Sequence, residues 1–133
     1  MSAETPFLDT NVLLYLLSAD SGKADIAEEL LRKGGIISVQ VLSEITSVCT
    51  RKLKMSYGEI PEILTTINMV LDVRKLTPTM HETALDIGER YGYSLYDSMI
   101  LAAAINVGGS LVHTEDLHSG QRIRGCLLIV NPF

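Results

Sequence analysis

The sequence predicts an α/β fold: a three-layer α/β/α sandwich on a parallel five-stranded sheet. Two observations carry this. Five short, mostly aliphatic runs recur, at 7–8, 36–37, 73–76, 111–112 and 127–130. Between most of them lie segments whose apolar residues fall at i, i+3, i+4, the spacing of an amphipathic helix. Strands alternating with helices imply parallel strands joined by crossovers.

The elements follow in order. The first run, Phe7-Leu8, leads into Asp9-Thr10-Asn11, where Asp9 could cap a following helix. Ile26, Ala27, Leu30 and Leu31 make the first apolar stripe, and Ile36-Ile37 the second strand. Val41, Leu42, Ile45, Val48 and Cys49 form the next stripe, and Ile60, Ile63, Leu64, Ile67, Val70 and Leu71 another. After the strand at 73–76, Thr79-x-x-Glu82 reads as a capping box opening a helix with Ala84, Leu85, Ile87, Gly88 and Tyr91 inward. Residues 95–107 are apolar almost all round, so that helix is expected to be central and covered on most sides. The strands at 111–112 and 127–130 close the chain.

At 133 residues the chain fits one domain, 1–133, able to bury roughly two-thirds of its unfolded surface. Trp is absent and aromatics are 5%, so Leu, Ile, Val and Ala must build the core. Cys49 and Cys126 lie in apolar runs without a CxxC partner, which suits small buried thiols in a reducing compartment. Met1 to Pro6 carries no leader pattern, and the longest apolar run, 99–105, is far below the roughly 20 residues of a membrane span. A soluble cytoplasmic protein is expected. The net charge of −5 works against nucleic-acid binding and has to be explained.

Three acids sit beside apolar segments. Asp9 ends the first strand, Asp97 lies in the first turn of the apolar helix, and Asp116 follows the fourth strand. In open parallel sheets ligands bind beyond the carboxyl ends of strands, near the point where strand order reverses. Glu44, on the helix after the second strand, can face the same crevice. Converging carboxylates resist ionisation. A divalent cation with hard oxygen ligands removes the conflict and can drive phosphoryl chemistry. Each acid also has an ordinary use. Asp97 could complete a box with Ser94, Glu44 could be a solvated helix residue, Asp116 a turn residue, and Asp9 a cap. The set, rather than any member, points to a cation site.

Together these segments resemble the PIN-domain family of ribonucleases. The resemblance rests on Phe7-Leu8-Asp9-Thr10-Asn11-Val12-Leu13, on Ser38-Val39-Gln40-Val41-Leu42-Ser43-Glu44, on Tyr96-Asp97-Ser98 before the Ala-rich Leu101-Ala102-Ala103-Ala104, and on Thr114-Glu115-Asp116. The stretch from Asp116 to Gln121 and the ending Ile129-Val130-Asn131-Pro132-Phe133 are similar to toxin (VapC-like) members. The resemblance implies a sheet ordered 3-2-1-4-5 and Mg²⁺- or Mn²⁺-dependent cleavage of RNA. It implies Asp9 and Asp97 as principal metal ligands, with Glu44 and Asp116 completing the catalytic centre directly or through water. It assigns supporting roles to Thr114 and Asn11. Small single-domain members usually serve as toxins of VapBC-type pairs, so an antitoxin partner and a homodimer are implied. Leu95 departs from the aromatic that many toxins carry there.

A bound cation would invert the local sign and ease the problem of net charge. Arg122 and Arg124 are candidate RNA contacts, whereas Arg51, Lys52 and Lys54 read first as cations suited to a helix C-terminus. His113 and His118 flank Asp116 and read as structural. A haloacid-dehalogenase site needs a second Asp where Asn11 stands, and a receiver domain needs a late Lys, yet none follows Lys75. Two alternatives stay open: a housekeeping PIN-type RNA-processing nuclease without antitoxin, and a catalytically idle protein-interaction module.

Overall fold

A computed structural model describes residues 5–133. The leader reading of Met1 to Pro6 therefore falls mostly outside the described residues. Strand β1 (Phe7–Leu8) runs into a short helix α1 (Thr10–Leu14) and a 3-10 turn, Tyr15–Leu17. Next come α2 (Ser21–Lys33), β2 (Ile36–Ser38), α3 (Val39–Arg51), α4 (Ile60–Val70) and β3 (Asp72–Arg74). The second half holds α5 (Pro78–Tyr91), α6 (Leu95–Asn106), β4 (Leu111–His113), β5 (Arg122–Ile123) and β6 (Leu127–Val130).

The sheet order is β3-β2-β1-β4-β6-β5. Every neighbouring pair is parallel except β5 with β6. The expected five-stranded order, 3-2-1-4-5, is thus present with one correction: a sixth, antiparallel strand at the edge. Its hairpin turns through Arg124 (φ 53°) and Gly125 (φ 70°), the doubly left-handed geometry that matches strand twist. This turn also corrects the view of Cys126, which is exposed, whereas Cys49 is buried. Burial of the residues before and after a tight turn says little about the turn itself.

Phe7 registers with Ile36 on one side and Val112 on the other, so β1 is central. Phe7, Leu8, Ile37, Val112 and Ile129 are wholly or almost wholly buried. The chain runs β1 to β2 to β3 in one direction, then crosses back to β4. Right-handed crossovers put the helices of these two halves on opposite faces, giving the sandwich. Accordingly α1 packs on α3 and α3 on α4, while α5 packs on α6. The expectation for 95–107 holds in its middle, where Ile100, Leu101, Ala102, Ala103 and Ala104 are no more than 1% exposed, while Leu95 and Tyr96 at its start are exposed. Three consecutive alanines let α6 approach its neighbours closely.

Local chemistry sets the boundaries. The cap of α5 is Thr77 rather than Thr79, because Pro78 at the first helical position needs no hydrogen bond for its nitrogen. Thr77 Oγ1 accepts from Met80 N at 3.2 Å. Gly92 ends α5 with φ 79°, a left-handed stop that lets Ser94 open α6 a few residues later. Gly35 serves close approach: a Cβ there would lie 2.8 Å from Leu8 Cδ1.

Candidate active site

The crevice opens where the topology reverses, between β1 and β4. Chain segments leaving these strands diverge there and leave a gap beyond their carboxyl ends. Asp9 N donates to His113 O at 3.0 Å and Thr114 N to Val130 O at 3.0 Å, so sheet bonding runs right up to the gap. The crevice, of about 270 Å³, is lined by Asp9, Thr10, Asn11 and Leu14, by Glu44, Ser47, Val48 and Arg51 of α3, and by Asp97 and Asp116. All four acids singled out from the sequence thus come together, from four separate segments.

Asp9 is the most buried, at 5% exposure. Its Oδ1 accepts Thr10 N at 2.7 Å, closing the first turn of α1. Its Oδ2 accepts the Thr114 hydroxyl at 2.8 Å. Burial lifts its pKa to about 6 against these hydrogen bonds, and the charges of Glu44 and Asp116 push the same way. The acid is both a cap and a wall of the crevice.

Thr114 is fully buried and works as a hub. Its hydroxyl donates to Asp9 and accepts from Asn11 Nδ2 at 3.1 Å and Asp116 N at 3.2 Å. Asn11 reaches across the gap: Nδ2 also donates to Asp116 Oδ2 at 3.1 Å, while Oδ1 accepts Glu115 N at 3.1 Å. The loop after β4 is thereby tied to α1. The two supporting residues lock the acids to one another.

Glu44 accepts the Thr10 hydroxyl at 2.5 Å. Thr10 had no assigned part from sequence, although it sits between Asp9 and Asn11. Asp97 keeps its carboxylate in the crevice while its backbone N–H donates to Ser94 Oγ at 3.2 Å, so the capping and crevice readings are both satisfied. Gln40 of α3 donates to Tyr96 O at 3.0 Å, fixing the backbone just before Asp97.

Asp116 and Glu115 separate cleanly. Glu115 pairs with Lys23 of α2 at 2.7 Å and accepts the Tyr15 hydroxyl, contacts that hold its carboxyl below the usual range. Asp116 lines the crevice and Glu115 does not. The imidazoles of His113 and His118 also lie outside the lining, and burial lowers the pKa of His113. Arg122 and Arg124 are not brought to the crevice. Arg124 instead pairs with Asp86 at 2.7 Å. Arg51 and Ser47, by contrast, do line it. They follow Glu44 at i+7 and i+3 on one helix face, a spacing legible in the sequence.

Among the described residues no group of three or more His, Cys, Asp or Glu side chains forms that could hold a metal ion. A crevice of carboxylates and hydroxyls, with no His or Cys in its lining, does fit an ion that takes one or two carboxylates and keeps most of its waters.

A parallel sheet that gathers acids at its switch point defines a class of fold built around an acidic crevice. The chain belongs to the PIN domain family, which it matches over residues 7–121. Comparison with curated proteins finds no match. Solved structures with the same fold include a toxin–antitoxin complex from Klebsiella pneumoniae (19% identity, TM-score 0.74, covering 97% of this chain and 98% of that one). A second is VapC20 of Mycobacterium tuberculosis, described as a sarcin-ricin loop cleaving toxin (21%, 0.66, 81% and 87%). A third is VapBC2 of Rickettsia felis bound to a promoter DNA fragment (20%, 0.68, 96% and 98%). No helix among the described residues is long and apolar enough to cross a membrane.

Proposed function

We propose that the protein is a Mg²⁺- or Mn²⁺-dependent endoribonuclease, the toxin of a toxin–antitoxin pair. The observation that carries this reading is the convergence of Asp9, Glu44, Asp97 and Asp116 on one crevice at the sheet's switch point. In this reading Asp9 and Asp97 would hold the cation, with Glu44 and Asp116 completing its shell directly or through water. A bound Mg²⁺ would supply charge neutralisation at the phosphate and a lowered pKa for water beside it. The chain's own residues do the positioning. Thr114 and Thr10 N–H pin both oxygens of Asp9, so its carboxylate cannot rotate. Thr10 holds Glu44 Oε1 and leaves Oε2 without a protein partner among the described residues, able to take a proton from an attacking water. Asn11 holds Asp116 at the opposite wall.

The toxin part of the reading draws on the relatives and on a second surface. An apolar groove of about 220 Å³ is lined by Leu13, Leu14, Leu16, Leu31, Ile63 and Ile67 among others. Leu14 lines both groove and crevice, so one partner segment could occupy the two together. An antitoxin presenting apolar side chains and a basic residue would match this pair of surfaces. Pairing of two copies and a cytoplasmic site of action belong to the same reading. The test is cleavage of RNA by the purified chain with Mg²⁺, with EDTA, and in Asp9→Asn. Growth arrest on expression, relieved by the product of an adjacent small reading frame, tests the toxin. A chain that never cuts RNA would overturn the enzymatic reading; a solitary gene would favour a housekeeping nuclease.

A further inference from the structure

We infer that Arg51 is a phosphate anchor for the nucleic-acid backbone, gripping a phosphate next to the one that is cut; this rests on the crevice being a ribonuclease site. Arg32, Arg74, Arg90 and Arg124 each pair with a carboxylate. Arg51 lines a crevice with four carboxylates and pairs with none of them. It is aimed by Ser47, whose Oγ accepts the Arg51 Nε–H at 2.9 Å. That bond consumes Nε and sets the plane of the guanidinium. Its two terminal nitrogens have no partner among the described residues, and two parallel N–H donors are what a phosphate accepts.

The helix accounts for the position. Glu44, Ser47 and Arg51 occupy one face of α3, and the Arg51 side chain runs back along that face to Ser47, so its guanidinium stands about one turn beyond Glu44. One turn rises roughly 5.4 Å along the axis. That offset sets the guanidinium beside the four acids, none of which it pairs with, where it can meet a flanking phosphate. Leu14 and Val48 provide apolar lining in the same crevice, while the exposed guanidinium stays open to an incoming chain. An acidic chain thereby keeps one fixed cation where a polyanion must pass. A helix-end arginine that only balanced the dipole would need neither Ser47 nor the crevice.

The test compares wild type, Arg51→Ala and Arg51→Lys in two measurements. The first is Mg²⁺-dependent cleavage of single-stranded RNA. The second is binding of a labelled single-stranded RNA of about 12 nucleotides in EDTA, across roughly 50 to 200 mM KCl. In Arg51→Ala, KM should rise about tenfold with kcat within about twofold, as expected for an interaction made equally in ground and transition states. The salt slope of binding should fall by about 0.7, the loss of one single-strand phosphate contact. Arg51→Lys should restore the slope but only part of KM, because a point charge lacks the fork. Cleavage by the wild type with unchanged KM and slope in Arg51→Ala would overturn the anchor and leave the ribonuclease reading standing. An Arg51-dependent slope without any cleavage would do the reverse. A fall in kcat alone would also overturn the anchor, since it would place Arg51 on the reacting phosphate.

Discussion

Replacing Asp9 with Asn should abolish metal-dependent cleavage while leaving the fold nearly as stable, and the structure gives the size of both effects. Asp9 is buried, and its pKa of about 6 lies some two units above the ordinary 3.8. Holding it ionised at pH 7 without a cation therefore costs about 3 kcal/mol, its hydrogen bonds already counted. Asn removes that cost. It also replaces one accepting oxygen by an NH₂ group. One side of the residue faces Thr10 N–H, and the other faces a Thr114 hydroxyl that already accepts from Asn11 and Asp116. Whichever way the amide turns, a donor meets a donor or a saturated acceptor, at about 1–3 kcal/mol. The two effects nearly cancel, so metal-free Asp9→Asn should unfold in urea within about 2 kcal/mol of wild type. Cleavage should fall at least about a hundredfold, since even outer partners of metal ligands are worth 10 to 100-fold. Mg²⁺ should raise the melting temperature of wild type and not of the variant. The sign with pH is fixed as well. The folded pKa is raised, so the penalty is full above about pH 6 and gone below about 4. Metal-free wild type should gain on the variant as pH falls through that window. A stability loss above about 4 kcal/mol, or a variant that still cuts with Mg²⁺, would refute this account of Asp9.

Other outcomes follow from the same contacts. Thr114→Val removes the hub and leaves Asp9 Oδ2, Asn11 Nδ2 and Asp116 N short of a partner, so urea unfolding should show a loss of about 2–4 kcal/mol. Thr114→Ser keeps the hydroxyl and should recover most of it. Asp116→Asn should lower cleavage at least about tenfold more than Glu115→Gln, because Glu115 turns to Lys23 and Tyr15; equal losses in initial rate would contradict the separation of these neighbours. Asp86 has its pKa lowered by Arg124, so the pair's contribution is present above the ordinary carboxylate range and lost as pH falls through it. The stability gap between wild type and Asp86→Asn, measured by thermal melts from neutral to acid pH, should accordingly shrink toward acid.

Much of this architecture could be read from the sequence because burial writes a strong pattern. The strands Phe7–Leu8, Ile36–Ser38 and Leu127–Val130 are mostly apolar runs, and the middle of α6 is apolar on every side because residues 100–104 are covered on every side. What escaped was short or depended on three dimensions. Arg122–Ile123 is a two-residue strand with no periodicity to detect. Thr79-x-x-Glu82 matches the box motif and so masks Thr77, although Pro78 marks the true start. The four acids were ambiguous one at a time, and Asp97 shows why: its backbone serves the cap while its carboxylate serves the crevice. Spacing puts Arg51 on the Glu44 face of α3, but which partners the two exposed arginines take, Ser47 for Arg51 and Asp86 for Arg124, depends on three-dimensional contacts.

The placement of the acids also shows how a small fold holds like charges together. Asp9 alone is deeply buried, and its pKa shows the cost; Asp116 is exposed, and Glu44 and Asp97 are only partly covered. Had all four been buried to the same depth, the metal-free chain would bear several such costs at once, a large share of the roughly 5–15 kcal/mol that stabilises a typical domain. Instead the buried acid is the one with the most neutral donors around it, and the rest are left in contact with water. The network of Thr10, Asn11 and Thr114 then has a second role beyond orientation. It carries no charge of its own, so it restrains the carboxylates without neutralising them, and the crevice keeps its negative potential for a cation. A lysine or arginine in place of Asn11 would relieve the repulsion more fully and remove the reason for a cation to bind. On this reasoning the Asp-Thr-Asn sequence after β1 is one device: an acid, a hydroxyl to hold the second acid, and an uncharged bridge to the fourth.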